Sequence, residues 1–341
     1  MIRLHNDYNR GACEKILEKL AQIKGESYDG YGEDTWCEKA AELIREKCKA
    51  PEAAIHFLPG ATQANFIVHA AALSPIQSVI CPDSGHVYAH EAGSIENTGH
   101  KLVPLPSTDG KISAEQIRKA AASYYNGGEP NYICEPKMVY ISFPTEWGTI
   151  YSEQELKEIR KVCDEYEMYL FADGARLGYG LGSVKNDLTL EKLAELTDVF
   201  YIGGTKCGAL FGEALVITNK KLARKFRTYM KQNGAVLAKG WLLGMQFCAL
   251  LEDDTYEKMT AQADAYALEI KAAFKEKEIP EYVDSYTNQL FVILTEEQAE
   301  VLGKEYTFEH QQDLADGSKV VRFCTSWATT EAEKDLSLIH I

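Results

Sequence analysis

Residues 169–176, Tyr169-Leu170-Phe171-Ala172-Asp173-Gly174-Ala175-Arg176, read as an apolar strand that delivers an acid, two small residues and a base at its C-terminal end. In an open parallel sheet the ligand crevice lies beyond the carboxyl ends of the strands, so Asp173 and Arg176 are expected to project into it. Asp173 reads also as a cap for the turn that follows. Farther on, Val199-Phe200-Tyr201-Ile202-Gly203-Gly204-Thr205-Lys206 repeats the device with a buried strand, two glycines and one lysine. Desolvation lowers a lysine pKa toward the range where the neutral amine attacks a carbonyl, which makes Lys206 a Schiff-base candidate. Its bland reading is a lysine that snorkels to water.

Outward from these two strands, short β-rich apolar runs stand at 54–58, 78–81, 138–142 and 214–218. They alternate with helical periodicity at 13–23, 37–48, 61–72, 113–122, 153–166 and 222–230. Strands alternating with helices imply βαβ units and a mostly parallel sheet covered on both faces, an α/β fold. After Lys239 the pattern changes to helices over 239–251 and 255–275 and strands over 289–294 and 319–324. We expect a large cofactor-binding domain over 1–239 and a smaller α+β domain over 240–335, truncated at its end. The last six residues, 336–341, match the translation of a sequencing-library adapter, so they and His340 are set aside from functional reasoning.

With 36 basic and 51 acidic residues the 341-residue chain carries a net charge of −15. That disfavours nucleic acid or an anionic membrane as partner, while leaving room for a local basic pocket that holds a small anion. A hydrophobic fraction of 45% excludes intrinsic disorder. No apolar run reaches 18 residues and the N-terminus lacks the apolar core of a secretory signal, so a soluble, cytoplasmic protein is expected. The nine cysteines are odd in number and contain no C-x-x-C pair, which suggests free thiols rather than a disulfide framework or a zinc ribbon.

Two further segments bear chemistry. Phe57-Leu58-Pro59-Gly60-Ala61-Thr62-Gln63-Ala64-Asn65 runs from a strand into a helix. Free N–H groups and the positive dipole end there form a cradle for one phosphate, although a merely capped helix would read the same way. In Ser84-Gly85-His86-Val87-Tyr88-Ala89-His90-Glu91-Ala92-Gly93, His86 sits where an imidazole could lie flat over a ring. His86 and His90 are spaced for a metal, but no third ligand is in view and none is expected. Anion cradle, stacking imidazole, acid and carbonyl-reactive lysine follow one another at the strand-end face of one sheet. Together they are the parts needed to hold pyridoxal 5′-phosphate.

On these segments the chain resembles the fold type I pyridoxal-phosphate enzymes, and within them the threonine aldolase and β-eliminating lyase family. The resemblance also rests on Asn6-Asp7, Tyr31-Gly32-Glu33-Asp34, Met230-Lys231-Gln232-Asn233-Gly234 and Arg322-Phe323-Cys324-Thr325-Ser326-Trp327, and spans nearly the whole chain. It implies that Lys206 binds the cofactor aldehyde, Asp173 pairs with the ring nitrogen and His86 stacks on the ring. Gly60, Ala61 and Thr62 would hold the phosphate with help from Thr205, and Arg176 and Arg322 would clamp the substrate carboxylate. Asn6 stands where the family often has a serine at that carboxylate. A homodimer or homotetramer is implied, with Tyr31 and Lys231 reaching a neighbouring subunit's site.

Two departures stand out. Where the family commonly has Glu-Asn-Thr-His, this chain reads Phe143-Pro144-Thr145-Glu146-Trp147-Gly148, so Glu146 replaces a histidine near the substrate hydroxyl. Lys231 replaces a usual arginine. The implied activity is cleavage of L-threonine or L-allo-threonine to glycine and an aldehyde, with His86, His90, Glu146 or a phosphate-bound water as the base. β-Elimination, transamination or racemisation on the same scaffold is the alternative, and a non-catalytic α/β binding subunit a remote one.

Overall fold

The computed structural model describes residues 1–340. At its centre is a seven-stranded sheet in the order Ala54–Leu58, Glu213–Ile217, Val199–Gly203, Tyr169–Asp173, Glu135–Ser142, Gln77–Pro82, Lys101–Leu105. Glu213–Ile217 is antiparallel to both neighbours, and every other pair is parallel. Helices flank the sheet, so the α/β architecture implied by the alternating pattern is the one observed. All six apolar runs form strands. The seventh strand, Lys101–Leu105, has no counterpart in the sequence reading because Pro104 interrupts the β pattern, which is tolerated only where the strand lies at an edge.

Side chains alternate between the two faces of each strand. Val199 and Tyr201 join one apolar cluster and Phe200 and Ile202 the other, so the strand is buried from both sides. Asp173 follows Phe171 by two residues and therefore faces the Tyr140, Phe171 and Tyr201 side, against which the helix Ala61–Ala72 packs. Helices begin where short polar side chains accept from N3 backbone amides, as Ser113 and Ser152 do in reciprocal boxes with Gln116 and Glu155. The single helix expected over 222–230 is divided into Lys220–Ala223 and Phe226–Gln232, because Lys225 adopts φ 63° between them.

A second sheet, antiparallel throughout, is ordered Glu309–Asp313, Lys319–Cys324, Gln289–Leu294, Glu281–Val283. The cores do not divide at 239/240. Leu243 to Leu251 are all buried and seven of them belong to the cluster of the large sheet, since the helix Trp241–Leu251 is apolar on nearly every side. Conversely, Ile2–Arg3 pairs with Tyr306–Thr307, and Leu4 packs with Ile270, Phe274 and Phe323 of the smaller core. Asp7, three residues on, pairs with Arg176 after the Asp173 strand, so the chain start ties the two sheets together. The last described helix is Glu331–His340; Ile341, the end of the segment read as adapter translation, lies outside the described residues. Among the described residues no helix is long and apolar enough to cross a membrane.

Candidate active site

The strands Glu135–Ser142, Tyr169–Asp173 and Val199–Gly203 end at the same edge of the sheet, with Ser142 beside Asp173 across the ladder and the third strand running two residues further. Beyond these ends lies a cavity of about 700 Å³ lined by Gly60, Ala61, Thr62, His86, Glu146, Arg176, Thr205, Lys206 and Arg322. Asp173 lines its narrow floor with His86, Glu146 and Lys206. Tertiary structure thus gathers residues spread over 263 positions, from 60 to 322. Glycines make the convergence possible. A Cβ on Gly174 would lie 1.8 Å from the Tyr201 carbonyl oxygen and one on Gly203 would lie 2.3 Å from that of Ala175. Only without side chains can the acid-bearing and lysine-bearing turns meet, joined by the Gly203 N–H donating to Gly174 O at 3.0 Å.

The Asp173 carboxylate is buried. Its Oδ2 accepts from Tyr140 Oη at 2.6 Å and Asn65 Nδ2 at 3.0 Å, and its Oδ1 from the Ala175 N–H at 3.0 Å. Burial alone would raise its pKa, but His86 in its protonated form and the hydrogen bonds from Tyr140 and the Ala175 N–H outweigh it and hold the carboxyl below its ordinary value. The same Asn65 amide gives its other hydrogen to Glu91 Oε1 at 2.7 Å. Glu91 also accepts from Ser94 Oγ at 2.6 Å, and because an ionised carboxylate can only accept, His86 Nδ1–H donates to Glu91 Oε1 at 2.8 Å. In a neutral imidazole that leaves Nε2 as the basic nitrogen of His86.

Lys206 carries no ion pair or side-chain hydrogen bond among the described residues. Burial, with the positive charge of Arg176, pushes its pKa below the ordinary lysine value, against the opposing pull of Asp7, Asp173 and Glu213. Glu213 is buried on the adjacent strand. Its Oε1 accepts from Thr205 Oγ1 at 2.7 Å and its Oε2 from the Gly204 N–H at 2.9 Å. Desolvation raises its pKa to about 7 in spite of those bonds. Glu146 Oε1 accepts from the His86 N–H at 2.9 Å and Ser142 Oγ at 2.6 Å, while Oε2 is buried without a partner among the described residues. Burial raises the Glu146 pKa, and the Asp173 charge adds to the rise.

Several expectations are corrected by geometry. Asn6 does not line the cavity; its Oδ1 accepts from the Tyr8 N–H at 3.1 Å, and Tyr8 lines the wall instead. The Thr205 hydroxyl directs its proton to Glu213 and accepts from the Gly212 N–H at 2.9 Å, so it has no proton left for a phosphate. The guanidinium of Arg176 is engaged by Asp7, through Nε to Oδ2 at 2.7 Å and Nη2 to Oδ1 at 3.0 Å, so its fork is filled from within. Tyr31 and Lys231 stack on each other, Nζ 4.7 Å from the ring centroid, and neither lines the Lys206 cavity of its own chain. The sequence reading assigned no role to Asp7, Asn65, Glu91, Glu213 or Glu309. The one available signal was Glu213, an acid opening the otherwise apolar strand Glu213–Ile217.

The cavity suits pyridoxal 5′-phosphate. No side chain caps the helix at Gly60, and a Cβ there would meet nothing within 4 Å, so the first-turn N–H groups face open space at the positive end of the helix. Ser84 Oγ is buried in the wall without a partner among the described residues. Gly60, Ala61 and Thr62 would hold the phosphate, Lys206 would meet the aldehyde and Asp173 the ring nitrogen.

A mostly parallel sheet of this topology, with its lysine at the strand ends, defines a pyridoxal-phosphate-dependent enzyme of fold type I. Within that class, a family model described as beta-eliminating lyase matches residues 4–297, and the chain belongs to this family. It is similar to a threonine aldolase of Leishmania major, at 42% identity and a TM-score of 0.97 over 99% of this chain and 98% of that one. A low specificity L-threonine aldolase of Pseudomonas sp. is 30% identical over 337 residues, 96% of this chain and 93% of the relative. An aspartate aminotransferase double mutant of Thermus thermophilus shares the fold, with a TM-score of 0.73 at 14% identity over 100% of this chain and 90% of that one.

Proposed function

We propose that this chain is a carbon–carbon lyase that splits L-threonine or L-allo-threonine type β-hydroxy-α-amino acids into glycine and an aldehyde. The observation that carries the reading is the unpaired Lys206 amine, with a pKa lowered by burial, in one cavity with an ionised Asp173. The similarity to threonine aldolases over almost the full chain selects this reaction from others open to the fold.

When bound, pyridoxal 5′-phosphate supplies an aldehyde that condenses with amines and a ring that withdraws electrons from the α-carbon. Asp173, kept ionised by its donors, holds the ring nitrogen protonated. Arg322 and the remaining Nη1 of Arg176 bind the substrate carboxylate and fix the rotation of the α-carbon, an orienting effect. His86 Nε2 accepts the β-hydroxyl proton, and Glu91 holds the imidazole in the tautomer this needs. Glu146 fastens the His86 backbone and keeps the inner wall polar.

A homodimer or dimer of dimers belongs to the same reading, supported by the Tyr31 and Lys231 pair standing away from its own cavity. A cytoplasmic location is supported by nine free thiols, which suit a reducing compartment. The deciding experiment incubates the cofactor-loaded protein with L-threonine and measures acetaldehyde and glycine. Pyruvate or 2-oxobutyrate with ammonia from β-substituted amino acids, and no acetaldehyde, would instead assign β-elimination.

A further inference from the structure

Arg322 lies on the strand Lys319–Cys324, between Gln289–Leu294 and Glu309–Asp313, and its Cα partner on the outer strand is Glu309. Directly opposed residues on one face of an antiparallel pair are neighbours. The guanidinium is held on one side, where Nη1 donates to Gln289 Oε1 at 3.2 Å and Nη2 to the His5 carbonyl at 3.0 Å. Nη2 also pairs with the Glu309 carboxylate. Nε–H is different: it is buried and has no acceptor among the described residues.

Arg176 shows in the same cavity what a completed fork looks like. One carboxylate, that of Asp7, accepts from Nε and Nη2 together. At Arg322 the equivalent edge is half filled, with Glu309 on Nη2 and nothing on Nε. Glu309 comes from an edge strand whose pairing is irregular between His310 and Gln312, and its side chain is 47% exposed against 13% for Arg322. Releasing it to water costs little, because pairs with an exposed partner contribute weakly. A carboxylate entering the cavity would gain both Nε and Nη2.

We propose that Glu309 is a resident carboxylate that occupies Arg322 until the carboxylate of the amino-acid substrate displaces it. This rests on the reading of Arg322 as the substrate-carboxylate site. Glu309 then sets affinity by competition: it keeps the guanidinium oriented and partly neutralised in the empty cavity, and it weakens binding of every ligand that uses the fork. Its position at the rim also gives it a route outward, so displacement needs only side-chain rotation.

The test uses the cofactor-loaded enzyme and two readouts, KM for L-threonine and the calorimetric Kd of 3-hydroxybutyrate, which carries the carboxylate and hydroxyl of threonine without its amine. Glu309→Gln is expected to lower both by about two- to fivefold, the span of a weak exposed pair. Arg322→Gln is expected to raise both, and adding Glu309→Gln to it is expected to change neither further. Arg322→Lys, which keeps the charge but not the fork, replaces Arg322→Gln if that variant does not fold. If Arg322 variants weaken binding while Glu309→Gln leaves it unchanged or weakens it, the displacement proposal is wrong and the Arg322 site stands. If Arg322 variants bind as the parent does, the carboxylate site itself is misassigned and the proposal goes with it.

Discussion

Asp7 and Arg176, 169 positions apart, form a buried two-bond pair at 2.7 and 3.0 Å that joins the chain start to the turn after the Asp173 strand. Asn288 Nδ2 adds a third donor to Asp7 at 3.0 Å. Desolvation pushes the Asp7 pKa up, but Arg176, then Lys206 and the hydrogen bonds, leave it below its ordinary value. Removing one partner strands the other charge in a dry environment. Asp7→Ala is therefore expected to destabilise the protein by about 3–5 kcal/mol, read by urea unfolding. Because the folded pKa is depressed, the pair's contribution is present above the ordinary aspartate value near 3.8 and lost as pH falls through the folded value. A variant whose acid-unfolding profile coincides with the parent's would contradict this.

Lys206→Ala should abolish both the visible absorbance of the lysine-linked cofactor and aldehyde release. Borohydride treatment of the parent protein should fix the cofactor to the chain, and of the variant should not. Turnover in the variant at the parent rate would remove Lys206 from the chemistry.

The Glu91 carboxylate fixes the tautomer of His86. In Glu91→Gln the side-chain amide can donate to Nδ1, which moves the imidazole proton to Nε2 and removes the basic lone pair from the cavity. We expect kcat to fall roughly 10²-fold, the low end for losing a general base, with a much smaller change in KM. A loss confined to KM would make the contact merely structural.

Glu146 is separable into two roles. Glu146→Gln keeps an oxygen for the His86 N–H and Ser142 Oγ, whereas Glu146→Ala removes it. Most of the kcat should survive in the first and be lost in the second. Equal, pH-dependent losses in both would instead identify Glu146 as a proton carrier.

Glu213 gives a pH signature of opposite sign to Asp7. Its folded pKa of about 7 exceeds the ordinary value of 4.5, so folding takes up a proton between those limits. Its contribution to stability is full below 4.5 and is lost as pH rises through 7, by up to about 3 kcal/mol. Measured over a pH series, the stability of Glu213→Gln relative to the parent should rise across that window and then level off. A flat difference would show that Glu213 titrates normally.

Much of the scaffold was legible from local pattern. The six apolar runs, the alternating helices and the glycine-flanked Asp173 and Lys206 turns follow from period and turn chemistry alone. The polar edge strand Glu309–Asp313 carries no apolar alternation, so nothing in Glu309-His310-Gln311-Gln312-Asp313 marks it as a strand, still less as a partner of Arg322. The boundary between cores was equally hidden: Trp241–Leu251 resembles any buried helix, and which core receives it depends on the surface it meets.

By itself the sequence determined the identities and order of the chemistry-bearing groups, because a strand ending in Asp-Gly-Ala-Arg or Gly-Gly-Thr-Lys states its backbone geometry locally. Only the tertiary structure decided which of those groups are already engaged. Arg176 answers to Asp7, Thr205 to Glu213, His86 to Glu91 and Arg322 to Glu309. Charge pairing depends on distance through space, and in a desolvated pocket the partner a few ångströms away outweighs any preference written in the residue itself.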